Sequence, residues 1–211
     1  PLFDQLADAA REAAAVGAAR TLKVSVEPAI ASRWLVGRLG KFSELHPDIE
    51  LSIDASNRLV DFHVEDYDLG IRYGRGGWED VEAFKLSDVV MFPICAPKLL
   101  RDHSAIQPAN LDDFTLLHES RKEYWADWLK EAGVQAEMDW RGTVFQNHLA
   151  IEAAEAGQGF ALGDQILCTD SLVEGWLLRP FSIDMKDHGS YWIVRKKGSK
   201  EQATARAFRE W

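Results

Sequence analysis

Leu22, Val24 and Val26 alternate with neighbours of other character, as on a strand, and after Pro28 the period changes. Trp34, Leu35, Leu39, Phe42 and Leu45 recur at helical spacing until Pro47, and Ile49, Leu51 and Ile53 then alternate again. A strand, a helix and a second strand in this order normally give a parallel pair with a right-handed crossover, the helix carrying the chain over a face of the sheet. That pattern predicts an α/β sheet. Ser32 stands where the cap of the helix is expected, a short helix is expected near Leu59 to Val64, and a third strand over Tyr67 to Tyr73.

The pattern restarts after Pro93. Pro97 opens a helical turn, Thr115 to His118 reads as a strand, and Tyr124, Trp125, Trp128 and Leu129 form an apolar helix face that stops at Gly133. Thr143 to Phe145 is the next expected strand, followed by a helix through Leu149, Ile151, Ala153 and Ala154 that closes at Gly157. Strands are expected at Phe160 to Leu162, Trp176 to Phe181 and Tyr191 to Val194, and a last helix over Ala203 to Trp211. Two such units within 211 residues, without a long linker, predict two lobes joined by crossing strands and facing each other across a cleft.

Residues 1–19 differ in character. Leu2, Leu6, Ala9, Ala13 and Val16 are spaced 4, 3, 4 and 3 apart, the seam of a coiled coil, with Asp4, Asp8, Arg11 and Glu12 off it. Two heptads are too short to hold alone, so this is either a helix packed on its own domain or part of a dimerising linker. Pro1 in place of an initiator Met suggests a piece of a longer chain.

Charge narrows the partners. With 24 basic against 34 acidic residues the net charge is −10, which disfavours direct phosphate binding to nucleic acid. Cys95 and Cys168 form no CxxC and have no histidine companion, so neither a disulfide framework nor a thiolate metal site is expected, and a reducing cytoplasm fits best. No apolar run approaches the length of a membrane span and no signal peptide opens the sequence.

The motifs of nucleophile elbow, zinc protease and nucleotide P-loop are all missing from the sequence. Gly157-Gln158-Gly159 follows its helix instead of opening it and reads as a cap and turn. The positive signals point to ligand capture. The segments at Ala31-Ser32 and Gln146-Asn147 place helix N-termini directly after strands, where unpaired N–H groups favour an anion, although plain helix capping is the more ordinary explanation of Ser32 and Asn147. Arg72 at the end of the third strand is either a carboxylate clamp or an ion-pair partner. Glu119 or Asp164 could meet an ammonium group, and His118 ends a strand beside Glu119.

Five stretches in order then carry a resemblance: ASRWLVGRLGKFSELHPDIEL at 31–51, YDLGIRYGRGGW at 67–78, FPICAPKLL at 92–100, TLLHES with WADWLKEAG at 115–133, and AIEAAEAGQGFALGD at 150–164. Over residues 21–211 the chain resembles the effector-binding half of a LysR-type transcriptional regulator, in the branch of the glycine-cleavage activators and β-lactamase regulators. The resemblance implies two Rossmann-like subdomains of the type II periplasmic-binding-protein fold, one formed by 21–91 plus 195–211 and the other by 92–194, preceded by part of a linker helix at 1–19. It implies a cytoplasmic homodimer or homotetramer with no cofactor, no metal and no enzymatic activity, which meets DNA only through an N-terminal winged helix-turn-helix absent from this chain. A small effector, such as an amino acid, a small carboxylate or a muropeptide-like molecule, is implied in the cleft. The residues that match the family's ligand contacts are Ala31, Ser32, Arg72, Tyr73, Phe145, Gln146 and Asn147, with His118, Glu119 and Asp164 nearby. Gln146 and Asn147 depart from the small hydroxyl residues of that branch and narrow the pocket. A solute-binding protein serving a transporter is the alternative that shares this fold.

Overall fold

The computed structural model describes residues 20–101, 106–135, 142–146 and 148–211. The heptad residues Leu2, Leu6, Ala9, Ala13 and Val16 lie outside these, as does Asn147.

Strand β1, Arg20–Val26, pairs in parallel with β2, Ile49–Ala55, and with β3, Leu69–Gly74. Between β1 and β2 runs helix α1 over 28–45, which is α-helical at Pro28–Ile30 and Leu39–Leu45, π-helical at Ala31–Leu35 and 3-10 at Val36–Arg38. It begins four residues before the expected cap. Pro28 occupies the first turn, where its missing N–H costs nothing, and the Glu27 side chain accepts a hydrogen bond from the Ile30 N–H at 3.0 Å. Ser32 is therefore inside the helix, and its hydroxyl donates back to the Pro28 carbonyl at 2.9 Å.

The sheet runs β2-β1-β3-β8-β4-β7, with β4 at Val81–Ile94, β7 at Ala161–Asp164 and β8 at Met185–Lys196; no strand is expected from sequence over β4, and only Tyr191 to Val194 of β8 is expected. β4 spans 14 residues across Pro93, and β8 spans 12. Pro93 is tolerated because Phe92 to Ile94 pair only with β7, Ala161–Asp164, so a missing N–H on the other edge breaks no ladder. β4 and β8 run antiparallel with register shifts between Lys85 and Ser87 and between Asp88 and Val90. At the second shift the Gln165 side chain replaces the lost ladder bonds, accepting from the Val90 N–H at 2.8 Å and donating to the Asp88 carbonyl at 2.6 Å. These two long strands carry the sheet from the β1–β3 side to the side that holds β7.

On that second side, β5, His118–Glu119, pairs in parallel with β6, Val144–Phe145. The helices are α2, Glu123–Glu131, α3, Leu149–Glu155, and α4, Thr169–Val173; α5, Ala203–Glu210, returns to β1. The helix expected near Leu59 to Val64 is a run of turns, and the strand expected over Trp176 to Phe181 reduces to one bridge between Leu178 and Cys95. Pro180 and the short spacing leave no room for a ladder there.

Trp125 and Trp128 are buried core, each donating its indole N–H to a carbonyl, of Leu117 at 3.1 Å and of Ile183 at 3.2 Å. Cys95 and Cys168 are buried free thiols, and burial pushes the Cys95 thiol up to about 11 and the Cys168 thiol higher, so both behave as small apolar residues. Gly157, at φ 72°, ends α3 in the left-handed conformation as the sequence suggests. Gly159 has a different reason: an added Cβ would lie 2.3 Å from the Thr115 carbonyl oxygen. Gly159→Ala is expected to cost about 1–2 kcal/mol in urea unfolding by forcing the 115 and 160 segments apart, and an unchanged midpoint would show that this joint is loose.

Candidate functional site

The parallel strands set the site. In an α/β sheet the loops beyond the carboxyl ends of the strands gather around one crevice, and here the ends of β1, β3, β5 and β7 enclose a cavity of about 310 Å³. One wall carries Glu27 and Ala29 from the β1–α1 corner, Asn57 and Leu59 from the following loop, and Arg72 and Tyr73 from the end of β3. The opposite wall carries Glu119, Ser120 and Tyr124 after β5, and Asp164 and Leu167 after β7. The floor is formed by the crossing strands, through Val89 and Met91 of β4 and Asp187 and Tyr191 of β8.

Four of the ten expected ligand residues therefore share this cavity: Arg72, Tyr73, Glu119 and Asp164. Ala31, Ser32, His118, Phe145 and Gln146 are not among its lining residues, and Asn147 lies outside the described residues. His148 accounts for part of this: its Nε2 comes within 3.5 Å of the Ser32 Oγ and 3.2 Å of the Glu152 carboxylate, so the helix ends of α1 and α3 meet each other there. Around that contact the two sides are clasped. Arg33 of α1 donates to the Leu167 carbonyl at 2.9 Å, to the Ser171 hydroxyl at 2.9 Å and to the Glu155 carboxylate, while Arg38 forks onto Asp170 at 2.8 and 3.0 Å.

Arg72 is 5% exposed, yet it forms no clamp aimed at a carboxylate. Its Nη1 donates to the Ser25 and Ile71 carbonyls at 3.0 and 2.8 Å, and its Nη2 to the Ser25 hydroxyl and the Arg58 carbonyl at 2.7 and 3.0 Å. Burial lowers its pKa, which nearby Glu27 and Asp54 partly offset. Asp164 is 6% exposed; one oxygen accepts the Ile166 and Leu167 N–H groups at 2.7 and 3.0 Å and the other the Tyr191 hydroxyl at 3.2 Å. Burial raises its pKa against those hydrogen bonds. Glu119 is pushed up to about 7, by burial first and then by the charges of Asp164, Glu27 and Asp187. Tyr73 donates to Asp187, and burial together with these carboxylates raises Tyr73, Tyr124 and Tyr191, so all three phenols stay protonated.

Sequence reasoning missed Glu27, Tyr124, Asp187 and Tyr191. A capping role for Glu27 was discoverable from the Glu-Pro step that opens α1, whereas Asp187 and Tyr191 enter only because β8 crosses the floor. Ser32 and Glu152 approach the same nitrogen of His148, and Ser32 is committed to Pro28, so no hydroxyl–imidazole–carboxylate relay through opposite ring nitrogens exists there. Among the described residues no group of three or more His, Cys, Asp or Glu is placed to hold a metal ion, and no helix is long and apolar enough to cross a membrane.

Comparison with known proteins gives the family. The family described as LysR substrate binding domain matches residues 15–211. The chain is 31% identical over 212 residues to the glycine cleavage system transcriptional activator of Escherichia coli K12, covering 100% of this chain and 70% of that protein. It is 34% identical over 204 residues to the HTH-type transcriptional activator AmpR of Pseudomonas aeruginosa, covering 95% of this chain but only 65% of AmpR. The solved effector binding domain of AmpR from Citrobacter freundii superposes with a TM-score of 0.76 at 34% identity, covering 91% of this chain and 96% of that one. Full-length AphB of Vibrio cholerae shares the fold, with a TM-score of 0.69 at 19% identity. Relatives named as transcriptional activators do not favour the transporter alternative. Fold, cavity and kinship agree: the chain belongs to the LysR substrate-binding domain family, the effector-binding part of LysR-type transcriptional regulators.

Proposed function

We propose that this domain senses a small polar effector in the cavity between two subdomains, 21–91 plus 195–211 and 92–194, and reports it without transforming it. The observation that carries this reading is the cavity itself, walled by strand ends from both sides and floored by the two crossing strands, β4 and β8. A ligand touching both walls stabilises one angle between them over others, and only such a difference in affinity between arrangements can move an equilibrium. In the proposed parent protein, a cytoplasmic homodimer or homotetramer paired through the heptad residues of 1–19, that angle is passed to an N-terminal DNA-binding domain. The acidic charge of this chain, −10 overall, supports leaving the DNA contact to that other domain.

The test is a thermal-shift screen of the domain against amino acids, small carboxylates and muropeptides, run beside Asn57→Trp. Asn57 is an exposed residue on the cavity wall, so a tryptophan there fills the opening without entering the core. The expected result is a compound that raises the melting temperature of the wild type and leaves the variant unmoved. Equal shifts in both would remove the cavity as the effector site.

A further inference from the structure

The charges around the cavity are unevenly divided, and the division continues into a second hollow. The inner cavity presents four carboxylates, Glu27, Glu119, Asp164 and Asp187, against one guanidinium, Arg72, whose Nη groups are engaged by Ser25, Ile71 and Arg58. Glu27 and Asp164 already accept backbone N–H groups, whereas Glu119 is dominated by burial and by the like charges of Asp164, Glu27 and Asp187. Next to this cavity lies a hollow of about 260 Å³ that shares Tyr73, Tyr124 and Asp187 with it. The outer hollow carries Arg75, Arg121 and His188 beside Asp127 and the shared Asp187; Arg121 lies over the Tyr124 ring at 4.9 Å, and its Nε comes within 3.7 Å of the Glu123 carboxylate. The hydrogen bond from Tyr73 to Asp187 marks the boundary between them. An anion pushed inward meets like charges in a poorly solvated space, whereas a cation there relieves them.

Resting on the reading that this cleft holds the effector, we infer that it selects an extended dipolar molecule, with an ammonium or amidinium end inward at Glu119 and a carboxylate end outward between Arg75 and Arg121. This reverses the anion-first orientation that the helix ends suggest. The three neutral phenols along the path supply hydroxyl groups for the polar middle of such a ligand.

Isothermal titration of the 211-residue chain with ω-amino acids of two to six carbons, and with diamines and dicarboxylates of the same lengths, tests this orientation. At least one ω-amino acid should bind about tenfold or more tightly than the dicarboxylate of equal length. Glu119→Gln should weaken ω-amino acid and diamine alike by a similar factor, and Arg121→Ala should weaken the ω-amino acid while sparing the diamine. Asp187→Asn, which keeps the shape and removes the charge, stands in if Glu119→Gln misfolds by circular dichroism. A dicarboxylate that binds as well, indifference to the charge-removing variants, or no binding in the whole series overturns the dipolar assignment. The effector reading stands or falls separately, on whether any compound of the broader screen separates wild type from Asn57→Trp.

Discussion

Arg33→Ala is expected to lower the unfolding free energy by about 2–3 kcal/mol, the effect of stranding a partly buried carboxylate. Arg33 is 11% exposed in its side chain and Glu155 23%, and the guanidinium also satisfies the Leu167 carbonyl and the Ser171 hydroxyl. Truncation leaves Glu155 with the Ser171 hydroxyl and leaves the Leu167 carbonyl without that donor. Arg38→Ala is the natural comparator: it removes a bidentate pair of better drawn geometry, but Asp170 is 52% exposed, so water replaces the partner and the cost should stay below about 1 kcal/mol. Urea unfolding of the two variants distinguishes them, and equal losses would show that Arg33 is solvated like any surface arginine. Because Arg33 ties α1 to the segments bearing α3 and α4, its loss should also widen the cleft, visible as a larger radius of gyration in small-angle scattering.

Glu119→Gln should make the empty domain more stable above pH 7 and no more stable at pH 4. The sign follows from linkage. The Glu119 carboxyl titrates near 4.5 when unfolded and at about 7 when folded, so between these values the native state binds more protons and stability falls as the pH rises. The gap corresponds to about 2–3 kcal/mol once the opening of the site to solvent is allowed for. Glutamine keeps the shape of the protonated acid and does not ionise, so the variant escapes the loss. The charged groups that share the cavity with Glu119 are the carboxylates of Asp164, Glu27 and Asp187 and the guanidinium of Arg72, which is turned to Ser25, Ile71 and Arg58, with the tyrosines beside them. Melting temperatures across pH 4.5 to 8.5 check this; parallel curves for wild type and variant would mean that the carboxyl is hydrated and titrates normally. A destabilised carboxylate at the inner end of the cleft is also what a cationic ligand group would relieve, so binding of a diamine should restore the stability lost at high pH in the wild type and have little effect in the variant.

Local signals served well where the chain folds on itself. β1, α1 and β2 follow each other within 36 residues, so their alternation and helical spacing already contain the contacts that stabilise them. The Gly133 and Gly157 stops are equally local, since a residue in the left-handed conformation is needed whatever packs nearby. β4 was hidden for the opposite reason. Its first half faces β8 and its last residues face β7, so its burial pattern changes along its length and no single period describes it. The site divides in the same way. Arg72, Glu119 and Asp164 stand at or beside strand ends and could be picked from sequence, but whether they meet depended on where the second set of strands was carried.

The amino-acid order alone determined the α/β class, the parallel start of the sheet, the family and the general place of the crevice, because each rests on periodicities and motifs that neighbours in the chain enforce. Only the tertiary structure decided that four carboxylates converge while the guanidinium of Arg72 turns to backbone carbonyls, and that His148 closes the two helix ends against each other. The reason is electrostatic. The effect of one charge on another depends on distance and on the water between them, and both are set by the crossing of β4 and β8, which brings residues more than a hundred positions apart into one small space.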